Sequence, residues 1–300
     1  MKNTKIVVFM LLLFVFIFQG FSLNNIEEKE SINVDYINTL KSSKKETNYK
    51  RYYSFKEYSN SDINTVSNKK DIKNAIYNAL NNKSDNYIIY CDYNCFNDFK
   101  DIFYNKELML SISNYVSPFN KYKNILFSYL NNKIELTIKR KYNDEQIDKI
   151  NEIIDKDINS DYLNTLSDKE KIKILHNYLI NKVKYDKKHE KDKSSDAHSA
   201  YGAFVNNKAV CQGYTEAMSI LLDRFNIPNI LISSKDHIWN LVYVENEWKH
   251  IDVTWDDPIT INGKNKLIYD YYLINNNKLS KLDNSSNHKY FKDYYLEISK

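Results

Sequence analysis

The chain has 300 residues, of which 42% are apolar and 27% are charged. Because one domain takes roughly 100 to 200 residues, this length and composition predict one or two packed domains with a sizeable core. The net charge of +4 at pH 7 is too small to indicate a nucleic-acid partner.

The first residues have the layout of a secretory leader. Two lysines precede an unbroken apolar run over residues 6–18, and Gly20 and Ser22 place small residues just before Leu23. These are the basic region, apolar region and cleavage site of a signal peptide, which we predict over residues 1–22. A secreted or cell-envelope location follows. The open alternative is an uncleaved segment that anchors the protein in a membrane, since the apolar character continues almost to the length that a thin bilayer requires.

Residues 23–69 are polar and charged without sustained periodicity, which predicts a disordered stalk. The pattern changes from residue 70 onward. Apolar residues at helical spacing from Ile72 to Leu80 predict a helix, and Tyr87 to Tyr90 are typical of a strand. An α/β unit is therefore expected to begin here.

A β-hairpin is predicted further along this unit. Residues 125–130 and 133–140 have strand patterns, with Asn131 and Asn132 between them as the turn. Apolar and polar residues alternate in the second strand, so one of its faces is expected to be buried. We assign residues 70–160 to a small N-terminal α/β subdomain.

Two capping boxes predict the starts of the next helices. Asn143 with Gln146 begins one helix, and Ser167 with Glu170 begins another. We place a domain boundary between them, near residue 160, and assign 161–300 to a second domain that carries the chemistry described below.

Three cysteines are present, and an odd number in an exported chain suggests one free thiol. Cys211 is the candidate for it. Cys91 and Cys95 are four residues apart, which allows either a local disulfide, if they lie on a helix or turn, or two unrelated thiols, if they lie on a straight strand. A zinc site is not expected, because no further cysteine or histidine follows at ligand spacing.

Cys211 immediately precedes a strongly periodic apolar segment that predicts a helix ending before Pro228. Unsatisfied N–H groups and the positive end of the helix dipole at this N-terminus favour a thiolate over a thiol. The alternative interpretation is a small buried core residue, since Cys211 shares a helix face with Tyr214.

The partners of a reactive thiol are predicted on a hairpin that follows. If Glu245 and Asn246 form a two-residue turn, Trp239 opposes Asp252, and His237 becomes the diagonal neighbour of Asp252 on the same face. A three-residue loop would instead separate them onto opposite faces. A thiol nucleophile needs a base, and the base needs a group that orients it. These roles fall in order on Cys211, His237 and Asp252.

The remaining histidines fit these roles less well. His176 lies within a helical pattern, His189, His198 and His288 lie in polar segments, and His250 shares the strand face of Asp252. All three tryptophans flank the proposed histidine and aspartate strands. They are candidates for an aromatic wall at the site, although core packing explains at least two of them as well.

Three segments around these residues resemble the motifs of the bacterial transglutaminase-like superfamily. They are A-V-C-Q-G-Y at 209–214, D-H-I-W-N at 236–240 and H-I-D-V-T-W-D-D-P at 250–258. The cysteine-to-histidine spacing of 26 and the histidine-to-aspartate spacing of 15 are compatible with that family. The resemblance extends from about Ser167 to about His288.

This resemblance implies an α+β fold with a papain-like transglutaminase core, in which a nucleophile helix packs on an antiparallel sheet. It implies that Cys211 is the nucleophile, His237 the general base and acid, and Asp252 the orienting carboxylate. Gln212, Trp239 and Trp255 are candidates for oxyanion or substrate contacts. No cofactor and no metal is expected.

The implied function is that of an exported thiol acyltransferase that acts on protein carboxamide or peptide bonds through a cysteine thioester. The partner would then be a protein or peptide substrate. Two alternatives stay open, a cysteine peptidase or amidase of the cell envelope and a noncatalytic envelope-binding module. The sequence does not specify the substrate or the oligomeric state.

Overall fold

The computed structural model describes residues 65–258, 267–282 and 287–295. The predicted signal peptide and most of the predicted stalk lie outside these residues. The last positions assigned to the stalk are packed, because Thr65 forms an isolated parallel bridge with Tyr90 and Val66 is buried. Within the described ranges, no helix has the length and apolar character needed to cross a membrane.

The α-helices of the described residues are α1 (Lys69–Asn81), α2 (Tyr93–Phe103), α3 (Lys106–Ser113), α4 (Asp144–Asp157), α5 (Ser160–Asn164), α6 (Asp168–Lys182), α7 (Ala200–Phe204), α8 (Cys211–Arg224) and α9 (Asn276–Leu282). The strands are β1 (Asn86–Tyr90), β2 (Tyr122–Leu130), β3 (Lys133–Arg140), β4 (Lys184–Tyr185), β5 (Lys208–Ala209), β6 (Asn229–Ser233), β7 (Ile238–Val244) and β8 (Glu247–Ile251).

The N-terminal sheet is antiparallel, in the order β1-β3-β2. Its hairpin turns at Asn131 and Asn132, which have φ angles of 51° and 59°. Such positive φ angles suit the type of two-residue turn that matches the twist of paired strands. The predicted first helix, first strand and hairpin are thus confirmed. Helices α2 and α3, for which the sequence analysis gave no assignment, join α1 and this sheet in one apolar cluster.

Cys91 and Cys95 form a disulfide with a Cα–Cα distance of 5.4 Å. Asp92, between them, caps α2 by accepting a hydrogen bond from the Cys95 N–H at 2.9 Å. The chain leaves β1 and enters a helix within these residues, so the two cysteines are close. Of the two arrangements that the spacing allows, the structure therefore has the local disulfide.

The C-terminal sheet is antiparallel, in the order β6-β7-β8, and it forms the central layer of the described structure. Every residue of β6 and β7 is buried. Ile230 and Trp239 pack into the cluster that holds α1 to α3. Val242 and Val244 pack into the cluster that holds α4, α6 and α8. Burial on both faces explains why β6 and β7 are mainly apolar in sequence.

Helices α4 and α6 begin at the two predicted capping boxes. Asn143 with Gln146 and Ser167 with Glu170 each show both reciprocal hydrogen bonds. Helix α4, which precedes the predicted boundary near residue 160, contributes Ile150 to the same cluster as α6 and α8. The division of the chain at this point stays a prediction.

Candidate active site

Cys211 is the first residue of α8 and is partly exposed. Because Cys91 and Cys95 are bonded to each other, it is the one free thiol among the three cysteines of the chain. The N-cap residue Val210 has no side chain that can accept a hydrogen bond from the first turn. The N–H groups at this end of the helix are therefore directed toward the region of the thiol.

Close packing fixes the position at which α8 begins. A Cβ atom at Gly213 would lie 2.7 Å from the carbonyl oxygens of both Ala197 and Ser199, so only glycine allows this approach. The Thr215 hydroxyl lies 3.0 Å from the Ile238 carbonyl oxygen. The first turns of the helix are thereby held against β7.

The register of the β7-β8 hairpin is the predicted one. Val244 pairs with Glu247 across a two-residue turn. The turn residues Glu245 and Asn246 have φ angles of 55° and 66°. His237 consequently lies just before β7 and Asp252 just after β8, at the same end of the sheet.

His237 lies between the thiol and the carboxylate. Its Nε2 is 2.5 Å from Asp252 Oδ2, and its ring also makes a hydrogen bond with the side chain of Cys211. Because Nε2 is engaged by Asp252, Nδ1 is the ring nitrogen left for the thiol. The structure thus brings together the three residues that the sequence analysis selected, in the expected order.

The pKa values of this group are shifted so that the proton lies on the imidazole. Burial alone would raise the pKa of Cys211, but the hydrogen bond and charge of His237 outweigh burial and lower it. Burial alone would lower the pKa of His237, but the charge and hydrogen bond of Asp252, with those of Cys211, raise it to about 10. A thiolate paired with an imidazolium is the form in which a cysteine acts as a nucleophile.

Asp252 has a further partner that the sequence analysis did not select. Nε2 of His288 lies 2.9 Å from Asp252 Oδ2, and His288 is buried although it comes from a polar segment. The other carboxylate oxygen accepts the backbone N–H groups of Thr254 and Trp255 at 3.0 and 3.1 Å. His288 follows Asp252 by 36 residues, and no local pattern indicates that the two meet.

The two candidate tryptophans have different surroundings. Trp239 is fully buried, and its ring is stacked 5.6 Å from that of His237. Its Nε1–H donates to His250 Nδ1 at 2.9 Å, and burial of that imidazole lowers its pKa to about 4. Trp255 is partly exposed, with its ring 5.9 Å from that of His237. Trp239 thus packs against the imidazole of His237, whereas Trp255 lies partly exposed beside it.

Gln212, the oxyanion candidate, is buried next to Cys211, and its Nε2 donates to Glu216 Oε1 at 2.6 Å. Glu216 is fully buried at the centre of a network that sequence reasoning missed. Its carboxylate contacts the side chains of Lys121, Lys141 and Tyr142 and the backbone N–H of Ala200. Two lysines preceding residue 160 thus meet a carboxylate on the helix that begins with Cys211.

His237, Asp252 and His288 also form a group whose ligand atoms lie within 4.8 Å of one another, close enough to hold a metal ion. Both histidine Nε2 atoms are already within hydrogen-bond distance of the same carboxylate oxygen. An ion would therefore have to displace two hydrogen bonds.

A helix that presents a cysteine to a histidine and a carboxylate on an antiparallel sheet defines the papain-like class of α+β fold, as expected. Residues 156–253, which include Cys211, His237 and Asp252, match the model of the transglutaminase-like superfamily. This match covers about a third of the chain and agrees with the resemblance of its three motifs.

Two solved structures are similar over part of their length. One is a crystal structure of a TGase, with 16% identity and a TM-score of 0.32 over 51% of this chain and 48% of the other. The second is a provisionally assigned cysteine protease from Cytophaga hutchinsonii, with 12% identity and a TM-score of 0.27 over 48% of this chain and 65% of the other. The chain thus spans about half the length of the first and 65% of the second. No curated protein matches the sequence.

Proposed function

We propose that this protein is a thiol enzyme that transfers acyl groups from protein carboxamide or peptide bonds through a Cys211 thioester. The observation that carries the proposal is the chain of hydrogen bonds from Cys211 through His237 to Asp252 at the N-terminus of α8. The match of residues 156–253 to a superfamily that consists largely of cysteine enzymes supports it.

The first half-reaction uses each of these groups once. The Cys211 thiolate attacks the carbonyl carbon, and the oxygen gains a negative charge that the N–H groups at the start of α8 can stabilise. The C–N bond then breaks as the His237 imidazolium gives its proton to the departing amine. The product is a thioester on Cys211, and His237 is left neutral.

In the second half-reaction neutral His237 takes a proton from water or from an amine, which attacks the thioester carbon and releases the thiolate. Water as acceptor gives a carboxylic acid, which is deamidation or proteolysis. A lysine amine gives an isopeptide crosslink. Both outcomes use the same three residues, so the choice depends on what reaches the thioester.

The test is incubation of casein and a labelled primary amine with the wild-type mature protein or with Cys211→Ala. Label on casein with wild type alone, measured by intact mass spectrometry, supports acyl transfer to an amine. Shortened or deamidated casein without label supports the hydrolase. If casein is unchanged and Cys211 does not react with iodoacetamide at mildly acidic pH, the enzyme proposal fails and the noncatalytic binding module takes its place.

We further propose that the protein works outside the cytoplasm, in the secreted fraction or cell envelope. The signal-peptide pattern of residues 1–22 and the Cys91–Cys95 disulfide support this, because disulfides persist in oxidising compartments. Alkylation of denatured protein purified from that compartment should modify one thiol before reduction and three after it. Three reactive thiols before reduction would contradict the proposed location.

A further inference from the structure

His288 occupies a defined position beside the proposed triad. It belongs to the described segment 287–295, and its side chain is 2% exposed. Its ring is stacked on that of Tyr271, with 5.1 Å between centroids and an interplanar angle of 17°. The rings of Trp239 and Trp255 lie edge-on at 4.7 and 4.8 Å. Three aromatic side chains thus fix the orientation of the imidazole.

The hydrogen bonds of Asp252 show what this imidazole does. A carboxylate offers about four acceptor positions, two on each oxygen. In Asp252, Oδ1 accepts from Thr254 and Trp255, while Oδ2 lies 2.5 Å from His237 Nε2 and 2.9 Å from His288 Nε2. His288 therefore fills the last acceptor position and prevents the carboxylate from turning away from His237.

We propose that His288 is a positioning residue of this site, which holds Asp252 so that Asp252 can orient His237 against the Cys211 thiol. The proposal rests on the proposed thiol chemistry. The His288 ring also lies edge-on to that of His237, with 5.1 Å between centroids, but its hydrogen bond is to the carboxylate, through which it acts. Burial would raise the pKa of Asp252, yet the bonds from His237 and His288 lower it, which keeps the carboxylate ionised for this role.

Two substitutions separate the hydrogen bond from the packing. His288→Gln keeps an N–H donor at about the reach of Nε2 but loses the ring. His288→Phe keeps a ring that can stack on Tyr271 but loses the donor. Tyr290→Phe is the matched control in the same segment, because it removes a hydroxyl that donates to Asn276 at 2.6 Å, away from Asp252.

With the casein assay as readout, we expect His288→Phe to lower kcat about 10- to 100-fold with KM changed less than about twofold, as for a misplaced catalytic group. His288→Gln should recover most of the rate, and Tyr290→Phe should match wild type. If His288→Phe is active and His288→Gln is impaired, the ring matters rather than the donor, and the positioning role is overturned.

A second readout keeps this test independent of turnover. The rate of Cys211 alkylation by iodoacetamide, followed against pH, should shift its midpoint upward in His288→Phe, since a poorly oriented His237 stabilises the thiolate less. His288→Gln should keep the wild-type midpoint. If wild type alkylates at acidic pH but turns over no substrate, the proposed function fails while this comparison still decides the role of His288. If the alkylation midpoint of His288→Phe equals that of wild type, the positioning role of His288 is overturned.

Discussion

The Cys211 thiol and the His237 imidazole share one proton, and each shifts the pKa of the other. The cation on His237 favours the thiolate, and Asp252 and the thiolate favour the cation. The reactive ion pair therefore exists between the lowered pKa of Cys211 and the raised pKa of His237. Activity should rise as pH increases through the first value and fall as pH increases through the second, which is about 10.

Replacement of His237 by glutamine should abolish the acidic reactivity of the thiol. Without the cation, the pKa of Cys211 returns toward or above the ordinary value, because burial then acts alone. Each unit of upward shift lowers the thiolate fraction about tenfold, so alkylation by iodoacetamide at pH 6 should fall at least about tenfold. His189→Gln, which alters a histidine bonded to Asp186, is the control and should alkylate like wild type. If the pH dependence of Cys211 alkylation were unchanged in His237→Gln, the ion pair of Cys211 and His237 would be ruled out.

His250 should make the folded state sensitive to acid. Burial holds its pKa at about 4, against 6.5 for an ordinary histidine. Between these values the unfolded chain binds more protons, so the free energy of unfolding should decrease as pH falls from about 7 to 4. The shift corresponds to about 3 kcal/mol. In urea titrations, His250→Phe should lose less stability than wild type when the pH is lowered from 7 to 4. An equal loss of stability in the variant and in wild type would contradict the role of His250.

The three residues of the proposed triad could be selected from the sequence, because each lies next to a local signal. Cys211 precedes a periodic helix, and the pairing of His237 with Asp252 follows from a two-residue turn whose register the structure confirms. His288 and Glu216 could not be selected in this way. Both act through partners far away in sequence, and a buried histidine or glutamate has the same local pattern as an exposed one.

At the scale of elements, a buried ionic network holds the start of α8. Glu216, one turn and a half after Cys211, is fully buried and contacts Lys121 and Lys141. Both lysines are also buried, so the three side chains form an ion network without exposure to solvent. This network connects the helix of the nucleophile to the β2-β3 part of the fold.

Loss of the Glu216 carboxylate should destabilise the protein strongly. Glu216→Ala leaves two buried ammonium groups without this partner, which in comparable networks costs about 3 to 5 kcal/mol. Urea denaturation measures the loss. Lys149→Ala, which breaks the exposed pair of Lys149 with Glu152, is the control and should change stability little. If both substitutions changed the free energy of unfolding equally little, the buried network would not contribute to stability.

Elements with a strong local signal were predicted from the sequence, and those without one were not. The capping boxes of α4 and α6 and the Asn131–Asn132 turn are short-range features that fix their elements by themselves. Helix α2 contains three phenylalanines and a cysteine, which are only moderate helix formers, and it is stabilised by packing on the N-terminal sheet. Contacts of that kind are not visible in a local pattern.

At the scale of the whole molecule, the C-terminal sheet joins the two apolar clusters. Side chains from one face of β7, such as Trp239, enter the first cluster, and side chains from the other face, such as Val242, enter the second. Neither cluster is complete without this sheet. The described parts of the chain should therefore unfold together although the sequence predicts two domains.

Unfolding in urea should accordingly be a single transition. Tryptophan fluorescence reports on β7, β8 and the segment after them, because all three tryptophans lie there. Far-UV circular dichroism reports on helices from both clusters. The two signals should give the same midpoint within error, as a cooperative transition requires. Because the tryptophans pack into or against the first cluster, a phase in circular dichroism without a change in fluorescence would show that the helices of the second cluster unfold separately.

The order of the site residues along the chain has a consequence for biosynthesis. Cys211 comes first, then His237 and Asp252, and His288 follows by a further 36 residues. A growing chain therefore presents its thiol before the groups that activate it. A thiol without them has an ordinary pKa and reacts slowly. For the proposed chemistry, the thiol therefore gains its full reactivity only when the last of these partners folds into place.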